Sequence, residues 1–463
     1  TCSGKSCYAW MHGLTSSNHE NEFFNRENRY MRANRLLVTF VLGASITVFE
    51  SVAEERSAYD DIPEFGGPGS VGVQLKEENK PAPTGDFIKD LMPGWFETKE
   101  RVMNDHGLGY GINYSTLYQK ANNSVGEDQA WGGILQLPAS WTVMNNKDKG
   151  SSGTFVFKLE NRHKIATDLA PQDLGLGTFG PDGIAGLGAV SIVGTQFSDK
   201  GWVLTNLYWQ HKMRDGKLNY VVGQIDNTDF LDLYGLINPQ TAFMNLNFST
   251  NPSIGIPDQG FGGYGGIALS DNFYIVAGLM DAGGSPDKPG QSLEDFFDKN
   301  EYFKHIEIGY TTTFERRYFD NIHFVYWESD EQTNDQSAVT EARGSGWTFS
   351  AAHFFQDKYM PFLRYGDSDG GGGALNEKVL SVGIGIYDRD SGELFSVGLS
   401  KSAPSSLTIA PGLDDQYTAE IFYRFMLSKH FAITPDLQYI KDPALYPDDS
   451  SIWIASIRAR LTL

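Results

Sequence analysis

The sequence predicts an all-β protein, a transmembrane up-and-down antiparallel β-barrel of about 16 strands with a short N-terminal helical segment. Three observations carry this. The C-terminal stretches alternate apolar and polar residues with period two, the links between such stretches alternate short and long, and no apolar run is long enough for a spanning helix. In YTAEIFYRFMLS (417–428) the odd positions hold Ala419, Ile421, Tyr423 and Phe425 against Thr418, Glu420 and Arg424. HFAITPDLQYI (430–440) sets Phe431, Ile433, Leu437 and Tyr439 against Thr434, Asp436 and Gln438. SSIWIASIRARLTL (450–463) sets Trp453, Ile457, Leu461 and Leu463 against Ser456, Arg458, Arg460 and Thr462. A soluble sandwich also alternates, but strands of about ten residues with terminal aromatics and charges stacked on one face suit a bilayer wall.

The longest apolar run, LLVTFVLGASITVF (36–49), follows a basic stretch with Arg32 and Arg35 and precedes Ser51-Val52-Ala53. A basic flank, a short apolar core and a small-x-small triplet make 31–53 a secretory signal peptide, with residues 1–30 an upstream extension. Both cysteines, Cys2 and Cys7, fall in that extension, so the mature chain carries no disulfide. The whole chain has 37 basic and 58 acidic residues, a net of −21. A chain so acidic repels nucleic acid, and its charge belongs in water-facing loops or a hydrated lumen.

Residues 54–107 divide into a Glu/Pro/Gly-rich arm to 83, expected to be mobile, and a helical pair over 84–108 broken at Pro93 and packed at or inside one end of the barrel. The barrel occupies 108–463. Its strands are expected near 108–118, 131–143, 154–163, 201–213, 218–227, 262–269, 273–280, 303–313, 322–328, 347–356, 359–366, 378–387, 394–400, 417–427, 431–440 and 451–463. Short links such as RDGK (214–217) and SKH (428–430) alternate with long ones such as 164–200 and 228–261, the rhythm of a barrel with one short-turn end.

The segment GWFETKERVMNDHGLGYGINYSTLYQKAN (94–122) with Gly132-Gly133 resembles the carbohydrate-selective porins of the OprB family. So do KLNYVVGQID (217–226), NPQTAFMN (238–245), PFLRYGDSDGG (361–371) and EIFYRF...ITPDLQYIKDP (420–443), in the family's order. The resemblance implies a sixteen-stranded barrel in the Gram-negative outer membrane that passes monosaccharides and related carbohydrates by diffusion. It implies outer-membrane lipid and the barrel-assembly machinery as partners, and inward loops that narrow the pore. One departure is Leu463, where such barrels usually end in an aromatic residue.

Parity assigns one face of each strand to water, because a basic side chain at mid-membrane depth costs about 2–4 kcal/mol on the lipid face. The residues so assigned to the pore wall are Lys158, Glu160 and Arg162; Gln224 and Asp226; Glu307, beside His305; Arg364; Glu420 and Arg424; Asp436 and Gln438; Arg458 and Arg460. Carboxylates facing guanidinium groups replace the hydration shell of a sugar, whose hydroxyls both donate and accept, though the same charges can simply solvate a wall and pair with one another. Loops 164–200 and 228–261 are the candidates to fold inward as a constriction.

Other chemistries are weakly represented. SGKS (3–6) lacks the upstream glycine of a phosphate loop, GFGGYGG (260–266) opens a strand, and GDSDGGGG (366–373) reads as a surface loop before it reads as a cation site. No metal, cofactor or catalytic group is expected. The competing functions are a barrel of other solute specificity, a barrel enzyme and a secreted glycan-binding β-protein. N-terminal sequencing of the mature protein should begin at or within a few residues of Glu54; a mature chain retaining Leu36–Phe49 would refute the signal peptide.

Overall fold

Sixteen strands pair in sequence order into one closed antiparallel ring, and the computed structural model describes residues 63–78, 85–177, 179–180, 183–333, 340–388 and 391–463 of the chain. The expected signal peptide and upstream extension lie outside the described residues.

Strand β1 comes in two pieces, Leu108–Tyr110 and Asn113–Ala121, which pair with successive stretches of the same neighbour and therefore count as one strand interrupted at Gly111 and Ile112. The next seven are β2 (Gln129–Asn146), β3 (Ser151–Lys164), β4 (Gly201–Met213), β5 (Leu218–Ile225), β6 (Gly260–Ala268), β7 (Phe273–Asp281) and β8 (Tyr302–Thr311). The second half comprises β9 (Asn321–Ser329), β10 (Gly344–Ala352), β11 (Tyr359–Ser368), β12 (Asn376–Tyr387), β13 (Leu394–Pro404), β14 (Gln416–Ser428), β15 (Phe431–Lys441) and β16 (Ser451–Thr462). The ring closes where β1 meets β16, from Asn113 opposite Thr462 to Ala121 opposite Ile454. Each of the sixteen expected segments falls on one of these strands.

Short links gather at one end. The turn between β10 and β11 reverses with Gln356 and Asp357 both in the left-handed region, at φ 52° each. The link between β8 and β9 is braced to this turn by Asp320, which accepts from the Phe354 amide at 2.7 Å and from Arg316. Burial raises the Asp320 carboxyl, but these hydrogen bonds hold it below the usual carboxylate range.

Outward positions are aliphatic in the middle of the wall and aromatic toward its ends. Ile306, Ile308, Leu363, Val382, Leu399, Ile421 and Ile457 are exposed, with Trp131, Trp202, Trp347, Tyr417 and Trp453 toward one rim and Trp141, Tyr220, Phe273, Tyr359 and Phe425 toward the other. An apolar belt between aromatic girdles is the surface that hydrocarbon solvates.

The helical pair forms as the sequence predicts. Helix α2 (Phe87–Leu91) and helix α3 (Pro93–His106) meet at Pro93, whose missing N–H is harmless at a helix start, and α3 stops at Gly107 with φ 67°. They dock at the short-turn end, where Phe96 packs on His430 and Asp86 lies 3.1 Å from the His430 ring. The loose arm expected to residue 83 is corrected for 63–78, which includes helix α1 (Val71–Glu78). Phe65, Val71 and Leu75 are buried among Val156, Tyr208, Val221, Tyr264 and Tyr274, inner-row residues of β3 to β7. Its Glu/Pro/Gly composition signals little local structure, but three spaced apolar residues suffice once the barrel supplies an apolar wall.

The belt makes a mutational prediction. Changing Ile421, which is exposed on the outward row of β14, to Arg should destabilise the assembled barrel by about 2–4 kcal/mol at mid-membrane depth, read as a lower denaturant midpoint of the unboiled form, which should migrate differently from the boiled one on a gel. Unchanged stability would mean that this row does not meet lipid.

Candidate functional site: the barrel interior and its inward loops

The inner row of every strand is fixed by the ladder. On β14 the pairs Glu420 with Gln438 and Phe422 with Asp436 continue across β15 to β16, where Thr434 meets Arg458 and Ala432 meets Arg460. Glu420, Arg424, Asp436, Gln438, Arg458 and Arg460 therefore share the inner face of three adjacent strands. Lys158, Glu160 and Arg162 do the same on β3, Glu307 and His305 on β8, and Arg364 on β11, all of them buried.

Gln224 is the exception. Its strand neighbours Tyr220 and Val222 are 42% and 41% exposed, and its cross-strand partner Leu207 is 46% exposed, so Gln224 lies on the outward row. It is nonetheless buried, because its amide turns back to donate to the carbonyls of Leu204 and Gln259 under the long loop. The expectation that it faces water fails because β5 turns its odd positions, Asn219, Val221 and Ile225, inward and its even ones outward, while Asp226 lies beyond the end of the strand.

The interior is not an empty lumen. The loop 226–259 runs inside, with Leu233, Tyr234, Leu236, Ile237, Phe243 and Phe248 packed against the inner-row residues Met360, Phe362 and Phe422. The loop 165–200 lines the neighbouring wall, placing Leu174, Leu187 and Val193 against Ile440, Ile452 and Ile454. The expected inward folding of both loops is thus what the structure contains.

Most of the assigned wall charges hold these loops. The Glu420 carboxylate accepts from the amides of Met244 at 2.6 Å and Asn245 at 3.0 Å, the entry to a short helix, Leu246–Ser249. Arg458 donates to the carbonyls of Pro239 at 2.5 Å and Ala242 at 3.0 Å, and Arg424 donates to Thr241 at 2.7 Å and to Gly392 at 2.8 Å. Arg364 donates to the carbonyls of Phe248 and Thr250 and pairs with the Asp232 carboxylate. Gln438 bridges the two loops, donating to the Val193 carbonyl at 2.8 Å and accepting from Asn245 at 3.0 Å.

Asp226 caps the next turn through the Thr228 amide and accepts from Gln259. Glu160 accepts from Gln136 and Arg162, each at 2.7 Å, with Lys158 3.8 Å away. Buried charges of this kind cost several kcal/mol each unless paired, and the loop amides and carbonyls supply the pairing.

The hub of this network is Asp232, one of the polar residues of the loop expected to fold inward but not one of those assigned to the pore wall. Asp232 accepts from His323 at 2.9 Å on one oxygen and from Arg364 on the other, while its own amide donates to Glu307 at 2.9 Å. Tyr274 donates to the second Glu307 oxygen at 2.9 Å. His323 was findable, since it alternates with Asn321, Val325 and Trp327 against Ile322, Phe324 and Tyr326 on β9. Lys212, within 3.7 Å of Glu64, belongs to the inner row of β4 in the same way. Nothing local in the loop marks Asp232.

Of the thirteen assigned residues, Arg424 and Arg460 alone are half-buried and the rest are buried. Among the described residues Arg460 makes no hydrogen bond or ion pair, and its Nε is unpartnered. Glu78, at the end of α1, has one carboxylate oxygen 3.4 Å from Lys99 and the other unpartnered.

An apolar belt outside, a charged and loop-filled interior, and an even ring of sixteen strands define a porin-type, outer-membrane β-barrel. Residues 380–463 match the family model described as "Carbohydrate-selective porin, OprB family". That match covers β13 to β16 with most of β12; the resembling segments between 94 and 371 lie outside it. Among solved structures, OprB of Pseudomonas putida at high pH is similar over 80% of this chain and 97% of its own, at 14% identity and a TM-score of 0.60. The same protein at low pH aligns over 80% and 96% at 11% identity with a TM-score of 0.45, and a porin mutant of Rh. blastica over 77% and 100% at 11% and 0.45. No curated protein matches the chain.

Glu420→Ala removes two charge-assisted hydrogen bonds to the loop, each worth roughly 1.5–3 kcal/mol. The barrel should still form, but limited proteolysis should cut within 226–259, where the native protein should resist. Full resistance in the variant would show that apolar packing alone holds the loop.

Proposed function

We infer that the protein is an outer-membrane porin giving passive, selective diffusion of monosaccharides and related small carbohydrates. The observation that carries this reading is the disposition of the β14–β16 wall, inside the stretch that matches the carbohydrate-selective family. There Glu420, Arg458 and Arg424 clamp the inward loop, and Arg460 has no hydrogen-bond partner among the described residues. A loop pinned by wall charges keeps a constriction narrow. A guanidinium with unspent donors and a half-buried neighbour offers hydrogen bonds to hydroxyls that lose water on entry.

The buried members of the assigned set, including Lys158, Glu160, Arg162, Asp226, Glu307, Arg364, Asp436 and Gln438, act on solute indirectly, by fixing the shape of the passage. Arg424 and Arg460 are the candidates for direct contact. Diffusion of this kind has no covalent step and needs no cofactor. Insertion brings the chain into contact with outer-membrane lipid and with the barrel-assembly machinery.

A second reading, a pore selecting small anions, is favoured by the three arginines that β14 and β16 carry on either side of β15. Single-channel recording separates the two. In planar bilayers, glucose should block the ion current, and Arg460→Ala should weaken that block about tenfold, the loss of roughly one charged hydrogen bond or about 1.4 kcal/mol. An open channel whose current no sugar blocks, and whose anion preference falls in the variant, would establish the anion pore instead.

A further inference from the structure

We propose that the outer wall of β12–β15 carries a docking site for a phosphorylated lipid of the outer leaflet, with Lys401 and Lys441 holding a phosphate above the ring of Tyr417. The ladder aligns these three residues in one row. Lys401 on β13 is opposite Tyr417 on β14, which is opposite Lys441 on β15. All three are outward, and the two ammonium groups converge on the one ring, at 5.8 and 5.3 Å from its centroid. On β12 the residue opposite Lys401 is Leu380, and Lys378 lies two positions nearer the loop, opposite Ala403.

The position along the wall identifies the ligand. Each of these lysines sits at the long-loop end of its strand, the end that faces outward in barrels of this type. The outward residues at the opposite ends of the same strands are apolar: Ile386, Phe395, Phe425 and Phe431. In the next row toward mid-wall come Leu399 and the stacked pair Tyr439 and Trp453, 4.5 Å between centroids, and in the row after it the exposed Ile421. A row of cations above an aromatic and aliphatic surface matches an amphiphile with an anionic head and acyl chains.

The lysines have aspartate neighbours, Lys401 with Asp415 at 2.7 Å, Lys441 with Asp442 at 3.4 Å and Lys378 with Asp367 at 3.6 Å. Solvent-exposed pairs of this kind contribute little and open readily. A phosphate carrying more than one negative charge, placed between two ammonium groups, competes with a single carboxylate on each.

The test uses the full-length protein in detergent, with native mass spectrometry as readout and two glycolipid probes that share six acyl chains, one bisphosphorylated and one dephosphorylated. Wild type should hold the bisphosphorylated lipid at least about tenfold more tightly. Lys401→Gln with Lys441→Gln should erase that difference, while Lys217→Gln, at the short-turn end, should leave it intact. Equal binding of the two lipids, or an undiminished preference in the double variant, overturns the proposal. Inorganic phosphate that displaces the lipid at equal concentration would also overturn it, by showing a free-anion site in place of a lipid site. Should the double variant fail to assemble, the wild-type preference must fall as salt is raised, and a salt-independent preference counts against the site.

Discussion

A peptide group in hydrocarbon has no water to bond, so every N–H and C=O of a spanning segment must find a partner within the protein. In this chain that requirement is met by the pairing of β1 with β16, which removes the last open edge. Everything else depends on it. Once the ring is closed, each residue has only two directions available, and period two in the sequence becomes a division between lipid and interior. The outward row then needs nothing but apolar surface.

The interior has the opposite problem. Charges that hydrocarbon excludes are gathered on a concave wall, where they are costly unless neutralised or hydrated. The chain resolves much of this by folding its own loops into the space. Glu420 receives loop amides, Arg364 and Arg458 receive loop carbonyls, and Asp232 brings the loop's carboxylate to His323 and Arg364. The wall charges and the loops are therefore one construction. Removing a charge alters the passage through the loop it holds, so a transport defect alone does not establish contact with solute. Arg460, which bonds to no loop residue among those described, is the position where a transport defect speaks most directly of solute.

The strands, their order and nearly all of their facing were legible from the sequence, because alternation over nine or more residues has a single physical meaning in a bilayer. Gln224 was misread because β5 is short and its last outward side chain folds under a loop, where exposure no longer reports facing. The inner-row charges were found, but their employment was not: whether Arg458 meets water or the Ala242 carbonyl depends on a contact 216 residues away. The burial of 63–78 was hidden for the same reason, since Phe65, Val71 and Leu75 look like scattered apolar residues in a polar arm until the inner wall of β3–β7 surrounds them. Long-range packing leaves no periodic trace in the segment that packs.

The central claim is that a loop clamped by wall charges narrows a sugar-passing barrel. Liposome swelling with a graded series of neutral sugars tests it most directly, since the flux of each solute reports the opening. The account predicts rapid entry of monosaccharides and a steep fall from mono- to trisaccharide, with the fall flattened when the Glu420 clamp is removed. Equal entry of all three sizes into liposomes bearing the native protein, or no entry of any, would contradict it.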